Sequence, residues 1–320
     1  MTVNNDFLTD QNILLKYNGK SEEVEVPQGI VGISDTAFQE SYYTKTVILP
    51  KGIEKLEWGT FFGCRQLKKI VLPEGLTEIG GFAFKNCENL EAVNIPSTVL
   101  TIGQNAFADC RYLQKLELPV GLKKISDYFC NECRFLAEIE FNGGLEEVGS
   151  YAFCRCEDLT EIFIPDTVKK IDEYAFRYCQ NLQSVSLPSG LEVLGWCAFE
   201  GCGSLRSIDL PAVKILGGFA FCACGELREI KFSAGLSKIG DSCFRDCVNL
   251  QKVVLPKGLR EIVRYAFIGC RSLLEIHIPA SVELIGEKAF GGCDDLTVFG
   301  AVGSAAEKYA ESNGLKFVAE

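Results

Sequence analysis

Histidine is almost absent from this chain, since His277 is the only one among 320 residues. Nucleophilic triads and most catalytic zinc centres use an imidazole side chain, so any such active site in this chain would have to contain His277. His277 lies between Ile276 and Ile278 in an alternating apolar pattern, which predicts an exposed surface side chain. Carboxylates form no recurring pair at a catalytic spacing, and the phosphate-binding pattern GxxxxGK[ST] does not occur. We therefore expect no enzymatic activity, no cofactor and no metal site.

An excess of positive charge is also lacking, because 32 Lys and Arg stand against 43 Asp and Glu. Nucleic-acid binding needs a basic stripe, so the net charge of −11 argues against nucleic acid and disfavours anionic membranes. No apolar run is long enough to span a bilayer, and no basic signal-peptide start follows Met1. We expect no membrane insertion and an intracellular protein, or a cell-surface protein whose export signal lies outside this chain. Sixteen cysteines favour the reducing cytoplasm, and nothing in the sequence predicts an oligomeric state.

Most of the chain consists of copies of one stretch, Leu67 to Asn89, which reads LKKIVLPEGLTEIGGFAFKNCEN. Its copies follow one another at a step of 23 residues, except for a step of 22 from Leu205 to Leu227. The leucine that opens a copy recurs at Leu67, Leu90, Leu113, Leu136, Leu159, Leu182, Leu205, Leu227, Leu250 and Leu273. Two further copies open at Ser21 and Thr44. Twelve repeats, numbered 1 to 12 from Ser21, therefore fill residues 21–295.

Each repeat predicts two short strands. In repeat 3, Ile70 and Leu72 lie two residues apart, and both of their slots are apolar in all twelve repeats, as in a strand with one buried side. Pro73 follows, and all ten prolines of the chain occupy this slot, where a residue without an N–H suits the end of a strand. A glycine turn then leads to a second apolar pair, Leu76 and Ile79, which is consistent with a second short strand.

The end of each repeat predicts a buried turn. Ala83 and Phe84 are followed by Cys87, and eleven of the twelve repeats carry Phe in the Phe84 slot. Repeat 5 is the exception, with Phe129-Cys130 in place of Ala-Phe. We interpret this segment as one buried helical turn. A single repeat cannot bury its apolar side alone, so stacked repeats would share one continuous core.

The pattern LxxIxIPxxLxxIGxxAFxxC, in twelve tandem copies, resembles the BspA-like, or Treponema-type, leucine-rich repeats. The resemblance implies a right-handed repeat solenoid with a parallel sheet on its concave face and short strands and helical turns on its convex side. It also implies a binding role, often adhesion at the surface of bacteria or protozoa. We accordingly expect a non-enzymatic protein-interaction or adhesion scaffold.

Both ends of the chain predict caps on the repeats. Residues 1–20 contain two apolar runs around Asp10-Gln11-Asn12, which is typical of a hairpin. Residues 296–320 contain Ser304 with Glu307 three residues later, a capping box that predicts a helix start, and Asn313-Gly314 predicts its end. Leu315 and Phe317 predict a last short strand. Because no linker interrupts the repeats, we expect one continuous domain.

Eleven cysteines share the slot of Cys87, and this regularity favours packing thiols over chemistry. Stacked neighbours about 5 Å apart would be within Cα range of a disulfide, but their side chains run parallel and would not face each other. The pairs Cys154-x-Cys156, Cys222-x-Cys224 and Cys130-x-x-Cys133 resemble metal or redox motifs out of context. In each pair the second cysteine belongs to the repeat slot, so we interpret the pairing as chance.

The outward residues of the first strands vary freely, which makes them the predicted binding face on the concave side. Glu117, Glu138, Glu140 and Glu161 should form an acidic patch with Phe163 at its edge. A protein partner is the first hypothesis for this face. The alternative is a glycan-binding module, in which exposed aromatic residues such as Phe163 and Trp58 stack on sugars. The aromatic residue before Ala-Phe, as in Phe82, could hold a ligand or cover the core, and we favour covering the core.

Overall fold

The computed structural model describes residues 2–4 and 6–320, so Met1 and Asn5 of the predicted N-terminal cap lie outside the described residues. The chain divides into two compact units, Met1–Leu159 and Thr160–Glu320. The first strands of repeats 1 to 6 lie in the N-terminal unit and those of repeats 7 to 12 in the C-terminal unit. The expectation of one continuous domain stays a prediction.

The first strands of repeats 1 to 6 form one parallel sheet of six strands, in the order of the sequence. They are Glu23–Glu25, Thr46–Ile48, Lys69–Val71, Ala92–Val93, Lys115–Glu117 and Glu138–Glu140. Neighbouring strands pair with a constant offset of one repeat, as in Ile70 opposite Val93. Because side chains alternate between the two faces of a strand, this offset places the middle residues of all six strands on the same face of the sheet.

The first strands of repeats 7 to 12 are parallel as well. They are Glu161–Phe163, Ser184–Ser186, Ser207–Leu210, Glu229–Phe232, Lys252–Val254 and Glu275–His277. Two strands of the C-terminal cap, Thr297–Gly300 and Lys316–Ala319, continue the sheet beyond repeat 12. This confirms the predicted parallel-strand repeat solenoid in each unit.

The second strands form separate parallel ladders of two residues per repeat. In the N-terminal unit they are Gly32–Ile33, Lys55–Leu56, Glu78–Ile79, Thr101–Ile102, Lys124–Ile125 and Glu147–Val148. In the C-terminal unit they are Lys170–Ile171, Val193–Leu194, Ile215–Leu216, Lys238–Ile239, Glu261–Ile262 and Leu284–Ile285. Repeat 9 is one residue shorter than the others, but the ladder is not disturbed, because Ile215 still pairs with Val193.

The turn at the end of each repeat differs from a regular helix. It is a run of linked turns in which two residues per repeat have a left-handed backbone, such as Phe82 at φ 60° and Asn86 at φ 61°. Alternate amides of this segment bond to the next repeat, as when Phe61 N donates to Ala83 O at 2.8 Å and Gly63 N to Lys85 O at 2.8 Å. These bonds form a third ladder between repeats, and the remaining amides close turns within the repeat, as Phe62 N does by donating to Gly59 O at 2.9 Å.

Phenylalanine side chains fill the core beneath this turn. In the N-terminal unit Phe61, Phe84 and Phe107 stack with ring centroids 5.3–5.4 Å apart. In the C-terminal unit the same slot forms an unbroken series from Phe176 to Phe290, at 5.2–5.6 Å. Stacked rings have few gaps between them, so the core of each unit is continuous along the repeats.

Both caps extend these stacks and ladders. Phe7–Asp10 and Ile13–Tyr17 form the predicted hairpin, and a strand at Thr2–Asn4 joins it. Tyr17 stacks on Phe38 at 5.2 Å, and at the other end Tyr309 meets Phe290 edge-on at 5.5 Å.

The C-terminal helix, Ala305–Asn313, starts at the predicted N-cap and ends at Gly314 with φ 66°. It is the one helix within residues 2–4 and 6–320, and that part of the chain contains no helix long and apolar enough to cross a membrane.

Candidate functional site

We call the outward side chains of the first strands the strand face. The middle residue of the strand is buried in ten repeats and half-buried at Ile139 and Val185. The residue after it, which points outward, is exposed in every repeat except repeat 12. Packing therefore constrains the inner residues and leaves the strand face available for binding.

In the N-terminal unit the structure brings together three of the predicted glutamates around a lysine. Glu117 and Glu140 lie opposite each other in neighbouring strands, and Glu138 lies opposite Lys115. The Lys115 Nζ is 2.8 Å from Glu140 Oε1, 3.0 Å from Glu117 Oε1 and 3.6 Å from Glu138 Oε2. Its hydrogen bonds to Glu140 and Glu117 raise the pKa of Lys115 above its usual value. The group is thus a charged network with a net charge of −2 rather than a purely acidic patch.

Sequence reasoning missed Lys115, although a signal for it was present. Lys115 stands two residues before Glu117, so the period of a strand puts both on one face, and the repeat offset puts Lys115 beside Glu138. The prediction considered only the carboxylates on this face.

The other two predicted residues, Glu161 and Phe163, belong to the C-terminal unit. They flank the buried Ile162 and pair with Ser184 and Ser186 of the next strand. Phe163 is 67% exposed. Its neighbour across the ladder is the small, polar Ser186. The Phe163 ring therefore has no large side chain beside it in that strand.

Other outward positions of the strand face are apolar as well. Ile48 and Val71 are 41% and 39% exposed on adjacent strands of the N-terminal unit, and Val254 is 57% exposed in the C-terminal unit. His277 points outward as predicted but is partly covered. Its Nδ1 lies 2.8 Å from Glu320 Oε1, and its ring stacks on Phe299 at 4.5 Å. These contacts tie the imidazole to the C-terminal cap.

The cysteines are part of the core. All sixteen are buried. In the repeat slot the thiol donates to the carbonyl of the Phe slot one repeat earlier, as from Cys87 Sγ to Phe61 O at 3.2 Å and Cys110 Sγ to Phe84 O at 3.1 Å. Burial raises the pKa of Cys87 and Cys110 well above the usual thiol range. These thiols are poor nucleophiles at neutral pH, because the thiolate is the reactive form.

The paired cysteines show the same environment. Burial raises the pKa of Cys130, and it raises that of Cys222 to about 11. Across residues 6–320 no group of three or more His, Cys, Asp or Glu side chains is arranged to hold a metal ion.

Aromatic side chains of the turn segments are partly exposed. Trp58, which was predicted to be exposed, is 49% exposed, and Trp196 in the same slot of repeat 8 is 45% exposed. The residues just before Ala-Phe form stacked or tilted contacts, such as Tyr128 on Tyr151 with centroids 4.7 Å apart. Tyr112 and Phe135 form a further stacked pair at 5.1 Å, which the repeat pattern did not reveal because nine of the twelve repeats carry Asn, Gln, Asp, Glu or Ser in their slot.

Comparison with known proteins gives one family and a set of bacterial structures. The model of the BspA type leucine rich repeat region matches residues 16–113, 101–217 and 169–297. A leucine-rich repeat protein from Bacteroides ovatus is 25% identical with a TM-score of 0.66, and the alignment covers 100% of this chain and 97% of that one. A leucine rich cell surface protein from Faecalibacterium prausnitzii is 24% identical with a TM-score of 0.59, over 97% and 96% of the two chains.

The pneumococcal vaccine antigen PcpA is also similar in fold, at 16% identity and a TM-score of 0.54, over 99% of this chain and 97% of its own. Among proteins of curated function there is no match.

Proposed function

This chain belongs to the family of BspA-type leucine-rich repeat proteins, and on that premise we propose that it binds a protein partner through its strand face. Leucine-rich repeat proteins are typically surface or interaction proteins, and the family is generally one of non-enzymatic scaffolds. In our proposal this chain is such a scaffold, and the family resemblance suggests that its role is adhesion.

The observation that carries the proposal is the 67% exposure of Phe163 on a sheet whose inner side is packed. An aromatic residue that contributes nothing to the core is the usual anchor of a protein interface, particularly with charged residues around it. Glu161 supplies a charge two residues away on the same face. In the N-terminal unit, Lys115 and its glutamates form a second charged group on the strand face that a partner could bind.

The charged groups favour a protein partner that carries lysine and arginine. A net charge of −2 around Lys115 would attract basic side chains and speed the encounter with a basic surface. Exposed ion pairs add little stability to the folded chain itself. Changing these residues should therefore affect binding more than folding.

The experiment is a comparative capture with the full chain. Biotinylated wild-type protein, Phe163→Ala and Glu161→Lys are each incubated with the same lysate, and bound proteins are quantified by mass spectrometry. The matched control is Val302→Ser, which removes an apolar side chain of similar exposure, 74% against 67% for Phe163, from outside the strand face.

We expect at least one protein that the wild type and Val302→Ser retain and that Phe163→Ala loses. A hot-spot truncation costs about 2 kcal/mol or more, so the loss should be roughly 30-fold. If every captured protein binds the strand-face variants and the wild type equally, the strand face is not the interface.

A further inference from the structure

The two tryptophans of the chain share a sequence context that the repeat pattern does not require. One repeat after Trp58 the chain reads Gly80-Gly81-Phe82, and one repeat after Trp196 it reads Gly217-Gly218-Phe219. Repeats 3 and 9, which follow the two tryptophans, are the only ones of the twelve repeats with Gly-Gly-Phe at this position. Each tryptophan is therefore matched to a next repeat that lacks a side chain at the second glycine.

The structure explains this match. A Cβ added to Gly218 would lie 3.0 Å from Trp196 Cζ2 and 3.0 Å from the backbone oxygen of Asp241, so the indole packs directly against this glycine. Phe219 meets the ring from the side, with centroids 5.7 Å apart and planes tilted by 38°. The backbone of Trp196 is held as well, because its carbonyl accepts from Tyr174 N at 2.8 Å. Trp196 is thus a pre-positioned aromatic platform that remains 45% exposed.

Trp196 lines a cavity of about 490 Å³ within the C-terminal unit. Ile215, which is 60% exposed, adds a second apolar surface to the lining. Asp172, Glu173 and Asp241 contribute carboxylates. The volume is within the range of about 300–1,000 Å³ that is typical of small-ligand sites.

The charges in this cavity are largely compensated. Asp172 Oδ2 is 2.7 Å from Lys170 Nζ, and Lys238 pairs with Glu261 at 2.9 Å. Asp241 Oδ2 is 2.7 Å from Arg264 Nε, and its other oxygen accepts from the Ser242 hydroxyl at 2.8 Å. A carboxylate has about four lone-pair sites, so these oxygens can still accept hydrogen bonds from a ligand. The chemistry suits an uncharged ligand rich in hydroxyl groups.

We propose that this cavity binds one sugar ring of a neutral glycan, stacked on Trp196. The axial C–H groups of a pyranose present a weakly positive, apolar face, which complements the negative face of the indole. The equatorial hydroxyls of that ring point sideways, where they can donate to Asp172, Glu173 and Asp241. The site lies beside the second strands, so it is independent of the strand face.

A cationic ligand would also be attracted to an indole, but the surroundings favour the sugar. Cages for quaternary ammonium groups surround the cation with several aromatic faces. In this cavity the aromatic ring of the lining is that of Trp196, and Asp172 and Asp241 already hold cations of the chain itself. The cation is therefore an outcome that the experiment must distinguish.

Trp58 is a matched control built into the chain. It is 49% exposed and tilts against Phe82 at 5.1 Å and 40°, much as Trp196 does against Phe219. Counted along the repeats, however, Glu78 stands where Ile215 is, and Gln104 stands where Asp241 is. Trp58 therefore has a similar platform without the same apolar and carboxylate surroundings.

The test uses the indole N–H signals of the ¹⁵N-labelled full chain, which has two tryptophans. Trp58→Phe and Trp196→Phe assign the two signals. The probes are cellobiose, lactose, mannobiose and chitobiose, each titrated separately, with choline as the cation. We expect a saturable shift of the Trp196 signal with at least one disaccharide and a dissociation constant of roughly 0.1–10 mM, since one stacked ring gives weak binding.

Two variants check the geometry. Gly218→Ala should displace the indole, and Glu173→Gln should change one exposed carboxylate with little effect on folding. We expect at least a tenfold weaker affinity in the first and a smaller loss in the second, while the Trp58 signal stays unchanged in both. The proposal is overturned if no disaccharide shifts the Trp196 signal, if Trp58 and Trp196 respond equally, or if choline alone binds.

Discussion

Repeat 5 offers the sharpest test of how the core is built, because its alanine and phenylalanine slots are exchanged. Phe129 occupies the alanine slot, yet its side chain is fully buried and fills the phenylalanine core. Its ring meets Phe107 at 75° and Phe153 at 70°, whereas the rings of Phe61, Phe84 and Phe107 stack within 8°. The core therefore accommodates a phenylalanine ring whose backbone lies one residue before the usual phenylalanine slot.

The backbone of repeat 5 is the same as elsewhere. Cys130 N donates to Ala152 O at 2.7 Å, just as Phe84 N donates to Ala106 O at 2.8 Å. Only the side chains are exchanged. The double variant Phe129→Ala with Cys130→Phe should consequently restore the stacked arrangement without changing the main chain.

The magnitudes follow from the burial. Phe129→Ala alone should destabilise by about 3–5 kcal/mol, the range for a buried phenylalanine. Cys130→Phe alone adds a ring to a filled core and should cost about 1–3 kcal/mol. The double variant conserves volume, so we expect a cost below about 1.5 kcal/mol. The two substitutions should therefore be coupled by about 2 kcal/mol or more in the favourable direction.

Urea unfolding followed by tryptophan fluorescence measures these differences. In a Trp196→Phe background the remaining Trp58 reports on the N-terminal unit, which contains both substitutions. Phe135→Ala, at a position 45% exposed, is the control for a phenylalanine outside the core and should cost less than about 1.5 kcal/mol. If the double variant is as unstable as the sum of the single ones, the two slots do not share one space and the reasoning is wrong.

Three further predictions follow from the burial and charges of named residues. Phe84→Ala should lower the free energy of unfolding by about 3–5 kcal/mol in the same assay, and a loss under about 1 kcal/mol would contradict its place in the core. A thiol reagent should label few of the sixteen cysteines in the native chain and the rest only in denaturant. Burial raises the pKa of Cys222 to about 11, whereas an unfolded thiol has a pKa of about 8.5. The stability that the buried thiol contributes is therefore present below about 8.5 and is lost as the pH rises from there to about 11. Cys222→Ala should consequently flatten the alkaline fall of the melting temperature.

The strands and caps could be predicted because each rests on local rules. The alternation at Ile70 and Leu72 and the proline that follows are direct consequences of strand geometry, and Ser304 and Gly314 meet the requirements of helix ends. The left-handed residues were not predictable in the same way. Phe82 is not a residue that favours positive φ, and it adopts this backbone because the ladder to the next repeat holds it there.

The candidate sites were less accessible to sequence reasoning, because they depend on contacts between repeats. A list of carboxylates at outward slots does not reveal that Lys115 bonds to Glu117 and Glu140. The regular cysteine slot predicted a small buried residue, but the hydrogen bond from Cys87 Sγ to Phe61 O requires the positions of two repeats. The cavity beside Trp196 is recognisable only with Ile215 and Asp241 of the next two repeats in place.

The constant offset between neighbouring repeats has a consequence for how such a gene can change. In the N-terminal unit the same 23-residue step separates Ile70 from Val93 in the first ladder and Ile79 from Ile102 in the second. Unequal recombination between two copies removes or inserts one whole period, and the residues on either side of the junction then meet partners equivalent to those they had. The number of strands in the strand face can therefore change in a single genetic event, whereas most insertions into a globular domain would have to be accommodated at a loop.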